Sequence, residues 1–155
     1  PVGFKYISDA MKEHQALIGG ESSGGITIRN HILGKDGIFS AMILMELVAY
    51  YDRPLSEIVE SLFKRYGRFY SYEKSYPMKK EFLSLKFNGD FPQLDYQSYE
   101  VSELDGLKVV YDQGDWVCIR PSGTEPVLRI IVEAKSATRT YELMKAFEEY
   151  LFLDE

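Results

Sequence analysis

The chain has 155 residues, 45% of them hydrophobic and 14% aromatic, which leaves room for one ordinary domain or two small pieces and supplies enough apolar side chains for a core, so disorder is excluded. A formal net charge of -6 and a pI near 5.0 exclude a general affinity for nucleic acid or anionic membrane, so an anionic ligand must be gripped by a focused site. The single cysteine, Cys118, excludes an internal disulfide framework and a cysteine-based metal site and suits a reducing cytoplasm, and no run approaches the roughly 20 apolar residues of a membrane helix.

The chain opens on Pro1 with neither an initiator methionine nor a signal peptide, which reads as a fragment or a processed product. "GFKYISDAMKEH" then places Phe4, Ile7 and Met11 at helical spacing, and "ALIGGESSGGITIR" follows as strand, loop and strand. Asp36 stands where it can cap "GIFSAMILMELVAYY", whose apolar residues on nearly every side predict a buried helix. Pro54 opens a further helix with Leu55, Ile58, Val59, Leu62 and Phe63 as one stripe, and Gly67 closes it. A domain boundary is expected there, dividing the chain into 1–66 and 67–155.

Beyond the boundary, "RFYSYEKSY" predicts a strand, "PMKKEFLSLKF" a helix, and "FNGDFPQLDYQSYE" no regular element, being rich in Gly, Pro, Asp and Asn. The runs "LKVVYD" and "DWVCIR", separated by Gln113 and Gly114, predict a hairpin, and "VLRIIVEA" gives another strand of the same antiparallel sheet. Ser136 can cap a last helix that carries Leu143, Met144, Phe147, Tyr150 and Leu151 on one face. No internal repeat or low-complexity tract interrupts this order.

Between two of these strands lies "RPSGTEPVLRI". Arg120 and Arg129 each offer a planar fork of donors, Ser122 and Thr124 offer hydroxyls, and Gly123 lets backbone N–H groups come close, a set that matches the oxygens of a phosphate. The same letters also describe an ordinary turn, with Pro121 and Pro126 as turn residues and Glu125 paired to either arginine. Local composition leaves both readings open.

"RPSGTEPVLRI" resembles the phosphate-binding loop in the C-terminal domain of the α-D-phosphohexomutase family, the phosphoglucomutases and phosphomannomutases. "GGESSGGI" resembles that family's sugar-binding loop, and "VGFKYI" and "KDGIF" match in the same order, so the resemblance spans nearly the whole chain. It implies the fold class α+β: the end of a mixed α/β domain with the sugar loop and a linker helix in 1–66, then a small domain with an antiparallel sheet packed by helices in 67–155. It implies that Glu21 and Ser23, flanking the variable Ser22, bind sugar hydroxyls, and that Arg120, Ser122, Gly123, Thr124 and Arg129 bind phosphate. It makes Lys5 a candidate proton acceptor or phosphate contact. Arg29, His31 and Lys35 follow the sugar loop as candidates for contact or for purely structural roles.

The resemblance further implies a four-domain enzyme in which the first domain supplies a phosphoserine and the second a magnesium loop. The chain contains neither motif, so Mg2+ belongs to a site outside it and no metal site is expected within it. The implied reaction interconverts hexose 1-phosphate and hexose 6-phosphate through a hexose 1,6-bisphosphate intermediate in a cytoplasmic protein. The implied partners are the hexose phosphate substrate and the N-terminal domains of the same protein, and the fragment alone is expected to be inactive. The alternative is a non-catalytic phosphate or sugar-phosphate binding module. "GESSG" also fits the G-x-S-x-G pattern of a hydrolase elbow around Ser22, but a strand rather than a helix is predicted after it, and His31 is the only downstream base.

Overall fold

The computed structural model describes residues 2–79 and 89–152, with side chains through residue 151. The chain forms two compact units, Pro1–Tyr66 and Gly67–Glu155. The helix expected in "PMKKEFLSLKF" lies largely outside the described residues.

The first unit runs α1 (Phe4–His14), β1 (Ile18–Gly20), β2 (Ile26–Ile28), α2 (Gly37–Tyr51) and α3 (Leu55–Tyr66), with β1 and β2 paired antiparallel. Helix α1 lies against β1, and Met11 is buried there. The connection from β2 to α2 is held by short polar bonds. Thr27, fully buried, donates to the Ile32 carbonyl at 2.6 Å, and Ser8 of α1 donates to the Leu33 carbonyl at 2.9 Å. Asp36 caps α2 as its sequence position suggested: its Oδ1 accepts from the Phe39 N–H at 3.0 Å.

Helix α2 departs from the sequence reading. It forms over the expected residues but none of them is buried, and Ile38, Met45 and Tyr50 stand 77%, 64% and 80% exposed. The cause is geometric. A helix apolar all round needs neighbours on more than one side, whereas within this unit α2 packs chiefly on α3.

The second unit is a five-stranded antiparallel sheet of β3 (Tyr70–Pro77), β4 (Tyr99–Ser102), β5 (Leu107–Tyr111), β6 (Trp116–Pro121) and β7 (Val127–Ala134), in the order β3-β7-β6-β5-β4. Helix α4 (Ala137–Phe152) packs on β3 and β7. The α+β class read from the sequence is the class observed. Strand side chains alternate between faces, and one face carries Leu107, Val109, Val117, Ile119, Leu128, Ile130 and Val132 into a core closed by Leu143, Met144 and Phe147 of α4. The other face carries Trp116, Cys118, Arg120, Arg129, Ile131 and Glu133, all half-buried. Strand β4 was not legible in the sequence. It begins at Tyr99 inside the turn-rich stretch because pairing with β5, and packing of the Tyr99 ring on Phe91 at 5.7 Å and on Tyr111 at 6.3 Å, outweigh local composition.

One polar cluster ties α4 to β3. The Glu148 carboxylate accepts from Lys74, Tyr76 and Lys145. Burial alone would push this carboxyl up, but the hydrogen bonds from Lys145, Lys74 and Tyr76 outweigh it and hold the group at about 2. A carboxyl depressed on folding contributes stability that is fully present above its ordinary value near 4.5 and is lost as the pH falls through the folded value. Acid denaturation should therefore show a component between about pH 4.5 and 2 that disappears in Glu148→Gln, and that variant should be less stable by about 1–3 kcal/mol at pH 7. Urea titrations at pH 7 and pH 3 check both; equal pH dependence in wild type and variant refutes the assignment.

Candidate functional site

The loop joining β1 to β2 is closed by its own backbone. The Glu21 N–H donates to the Gly25 carbonyl and the Gly24 N–H to the Glu21 carbonyl, each at 3.0 Å. This tight bend holds Glu21 and Ser23 together, and Ser23 Oγ donates to Glu21 Oε1 at 2.7 Å. The same carboxylate receives the Lys35 ammonium, which reaches it from the segment before α2. Gly25 leaves the path open: a Cβ there would lie 2.9–3.0 Å from three carbons of the Lys35 stem. The hydrogen bond from Lys35, with a further one from Ser23, holds the Glu21 carboxyl below its usual range. Glu21 is thus an anionic acceptor, the form that can take two hydroxyl hydrogens at once.

The other residues noted around this loop go elsewhere. Lys5 is exposed in the first turn of α1 with its ammonium 4.8 Å from the Tyr6 ring centroid, and the lysine brought to Glu21 is Lys35. Arg29 donates to the Gln15 carbonyl at 3.1 Å and so fastens the chain after β2. His31 stacks on Phe39 at 3.9 Å and meets Asp36 Oδ2 at 3.0 Å, so the one downstream histidine is committed to the cap of α2. Strand β2, not a helix, follows Ser22. The hydrolase arrangement is therefore absent among the described residues.

The second loop joins β6 to β7. Arg120 and Arg129 are register partners on adjacent antiparallel strands, so both side chains leave the same face of the sheet, away from α4. Two like charges directly opposite are unfavourable unless an anion lies between them. Both Nε atoms are buried without a hydrogen-bond partner, and among the described residues the Arg120 guanidinium makes no hydrogen bond or ion pair. Arg129 is held at both tips, by Glu73 Oε1 at 3.2 Å and by Glu125 Oε2 at 2.7 Å. Ser122 Oγ accepts long bonds from the Thr124 and Glu125 N–H groups, at 3.4 and 3.3 Å. The space above Gly123 is open, since a Cβ there would meet nothing within 4 Å. The loop thus gathers Arg120, Ser122, Gly123, Thr124 and Arg129 at one end of the β6–β7 pair.

Gly106, which the sequence did not single out, packs against the strand that carries Arg120. It closes the turn between β4 and β5 with φ of 80° and lies against β6. A Cβ on it would stand 2.6 Å from the Arg120 Cβ and closer still to the Ile119 carbonyl oxygen. Only "LDG" before a strand hinted at the turn, and nothing local pointed to Arg120. Cys118, on the same face as Arg120, has its thiol pushed up by burial, which favours the protonated form. Among the described residues no group of three or more His, Cys, Asp or Glu is disposed to hold a metal ion, so they do not fit magnesium. No helix among the described residues is long and apolar enough to cross a membrane.

Comparison with known proteins assigns two stretches of the chain to one family. Residues 1–66 match the profile described as phosphoglucomutase/phosphomannomutase, alpha/beta/alpha domain III, and residues 81–149 match the C-terminal domain of the same family. A phosphoglucomutase/phosphomannomutase of Thermococcus kodakarensis is 31% identical over 144 residues, covering 93% of this chain and 30% of that protein. A phosphoglucosamine mutase of Methanococcus aeolicus is 34% identical over 148 residues, again covering 93% of this chain and 31% of the relative. A solved structure from Thermus thermophilus, assigned as a phosphomannomutase, superposes with a TM-score of 0.72 at 28% identity over 97% of this chain and 30% of that one. The chain spans about 30% of the length of the curated relatives it matches.

Proposed function

Because the chain belongs to the phosphoglucomutase/phosphomannomutase family, we propose that it is the substrate-binding C-terminal portion of a phosphohexomutase. The first unit contributes Glu21 and Ser23 to sugar hydroxyls, with Lys5 as a candidate proton acceptor. The second contributes Arg120, Ser122, Gly123, Thr124 and Arg129 to the phosphate that is not reacting. Binding energy from that idle phosphate positions the reacting oxygen without taking part in the transfer. The whole protein would interconvert hexose 1-phosphate and hexose 6-phosphate through the bisphosphate in the cytoplasm, with magnesium and the phosphoserine supplied by its other domains. The chain alone would bind and not turn over.

The single observation that carries this reading is the pair of in-register arginines with two buried, unpartnered Nε donors. Buried donors left without acceptors are costly, and an anion lying across the pair would satisfy both. Inorganic phosphate and glucose 6-phosphate, titrated into the chain, should shift the Arg120 and Arg129 Nε–H resonances saturably while Arg53 and Arg139 stay still. Uniform, non-saturating shifts at all four arginines would refute a phosphate site and leave the loop an ordinary turn.

A further inference from the structure

We propose that Glu125 is the phosphate loop's own stand-in anion, a carboxylate that occupies the Arg129 fork until a phosphate displaces it and thereby sets the concentration at which the loop loads. The inference rests on the phosphate-binding reading of this loop and concerns how the ligand enters it.

The two carboxylates on Arg129 differ in kind. Glu73 belongs to β3, paired along its length with β7, so its backbone is fixed by the ladder. Glu125 belongs to the loop itself, is 59% exposed, and reaches Arg129 from four residues away. An exposed pair of this sort adds little to stability, because water solvates the carboxylate almost as well once it swings out. A phosphate dianion brings more charge and a larger set of acceptor oxygens than a carboxylate to the same guanidinium. Glu125 is therefore the displaceable partner, and Glu73 remains to orient the fork.

The neighbouring donors follow the same pattern. The Thr124 and Glu125 N–H groups, which an incoming anion would use, are spent on Ser122 Oγ in bonds of 3.4 and 3.3 Å. Bonds this long are easily exchanged for better ones. The loop thus sets one of its own carboxylate oxygens and one of its own hydroxyls on donors that phosphate oxygens would take. Arg120, which carries no such internal partner among the described residues, is the first guanidinium open to an arriving anion.

Every ligand then competes with Glu125, and removing its charge should tighten binding. Titrate inorganic phosphate at pH 8 and constant ionic strength into the 155-residue chain, by calorimetry and by arginine Nε–H resonances, for wild type, Glu125→Gln, Arg129→Gln and the double variant. Glu125→Gln should bind about two- to fivefold more tightly when Arg129 is present, the range set by an exposed ion pair, and should have no effect in the Arg129→Gln background. Unchanged or weaker binding by Glu125→Gln, beside normal binding by wild type, overturns this inference alone. Failure of wild type to bind phosphate overturns the phosphate reading of the loop and this inference with it.

Discussion

Arg120→Ala is expected to weaken inorganic phosphate and hexose phosphate binding by about tenfold to a hundredfold and to leave the sheet folded. Hydrogen bonds to a charged group contribute about 1.5–3 kcal/mol, and about 1.4 kcal/mol is one decade of affinity. Among the described residues its Nε has no hydrogen-bond partner to lose. Removing it also relieves the opposition of two like charges across β6 and β7. Stability should therefore hold level or rise slightly as affinity falls. Lysine at this position should restore only part of the loss, because it keeps the charge but not the planar fork. Calorimetric titration with urea denaturation of the same samples separates the two effects, and equal affinity in wild type and Arg120→Ala would remove Arg120 from the site.

Gly106→Ala should act in the opposite way, through the fold. The residue has φ of 80°, where an L side chain costs about 1–2 kcal/mol, and its new methyl would meet backbone atoms of β6 that cannot turn aside. Overpacking of this kind costs about 1–3 kcal/mol. A loss of about 2–5 kcal/mol is expected, large against the 5–15 kcal/mol that holds a typical domain together. The strand pushed back is the one that carries Arg120, so phosphate binding should weaken even where the variant remains folded. An unfolding free energy from urea titration within about 0.5 kcal/mol of wild type, the scatter of neutral surface changes, would show that the turn shifts freely and that Gly106 does not position Arg120.

What the sequence disclosed and what it withheld divide along the distance over which the physics acts. Asp36 and Ser136 cap helices through bonds to N–H groups three residues on, and the hairpin at Gln113 and Gly114 needs only its own four residues. Such features are written in short strings. The residues proposed to bind phosphate could also be picked out in the sequence, because Arg120 to Arg129 lie within ten positions of one another. Lys35 reaches Glu21 across fourteen residues, Glu73 reaches Arg129 across 56, and Gly106 touches Arg120 only because β5 and β6 pair. No local pattern announces contacts made by the fold. The burial of α2 was misread for a related reason. Its composition describes the surroundings it requires, and among the described residues the element it packs on substantially is α3.

The pairing of β6 with β7 has a consequence for how this site is kept. Side chains along a strand alternate faces, so a slip of one residue would turn Arg120 toward the core and Ile119 toward solvent. Ile119 and Ile130 are register partners, as are Val117 and Val132, and all four are essentially inaccessible to water. A slipped ladder would expose them and bury a guanidinium, a cost no loop could recover. The alignment of the two arginines is thus enforced by aliphatic residues on the far side of the sheet, none of which touches a ligand. Changes there that loosen the register would appear as lost phosphate affinity, with every residue of the loop intact.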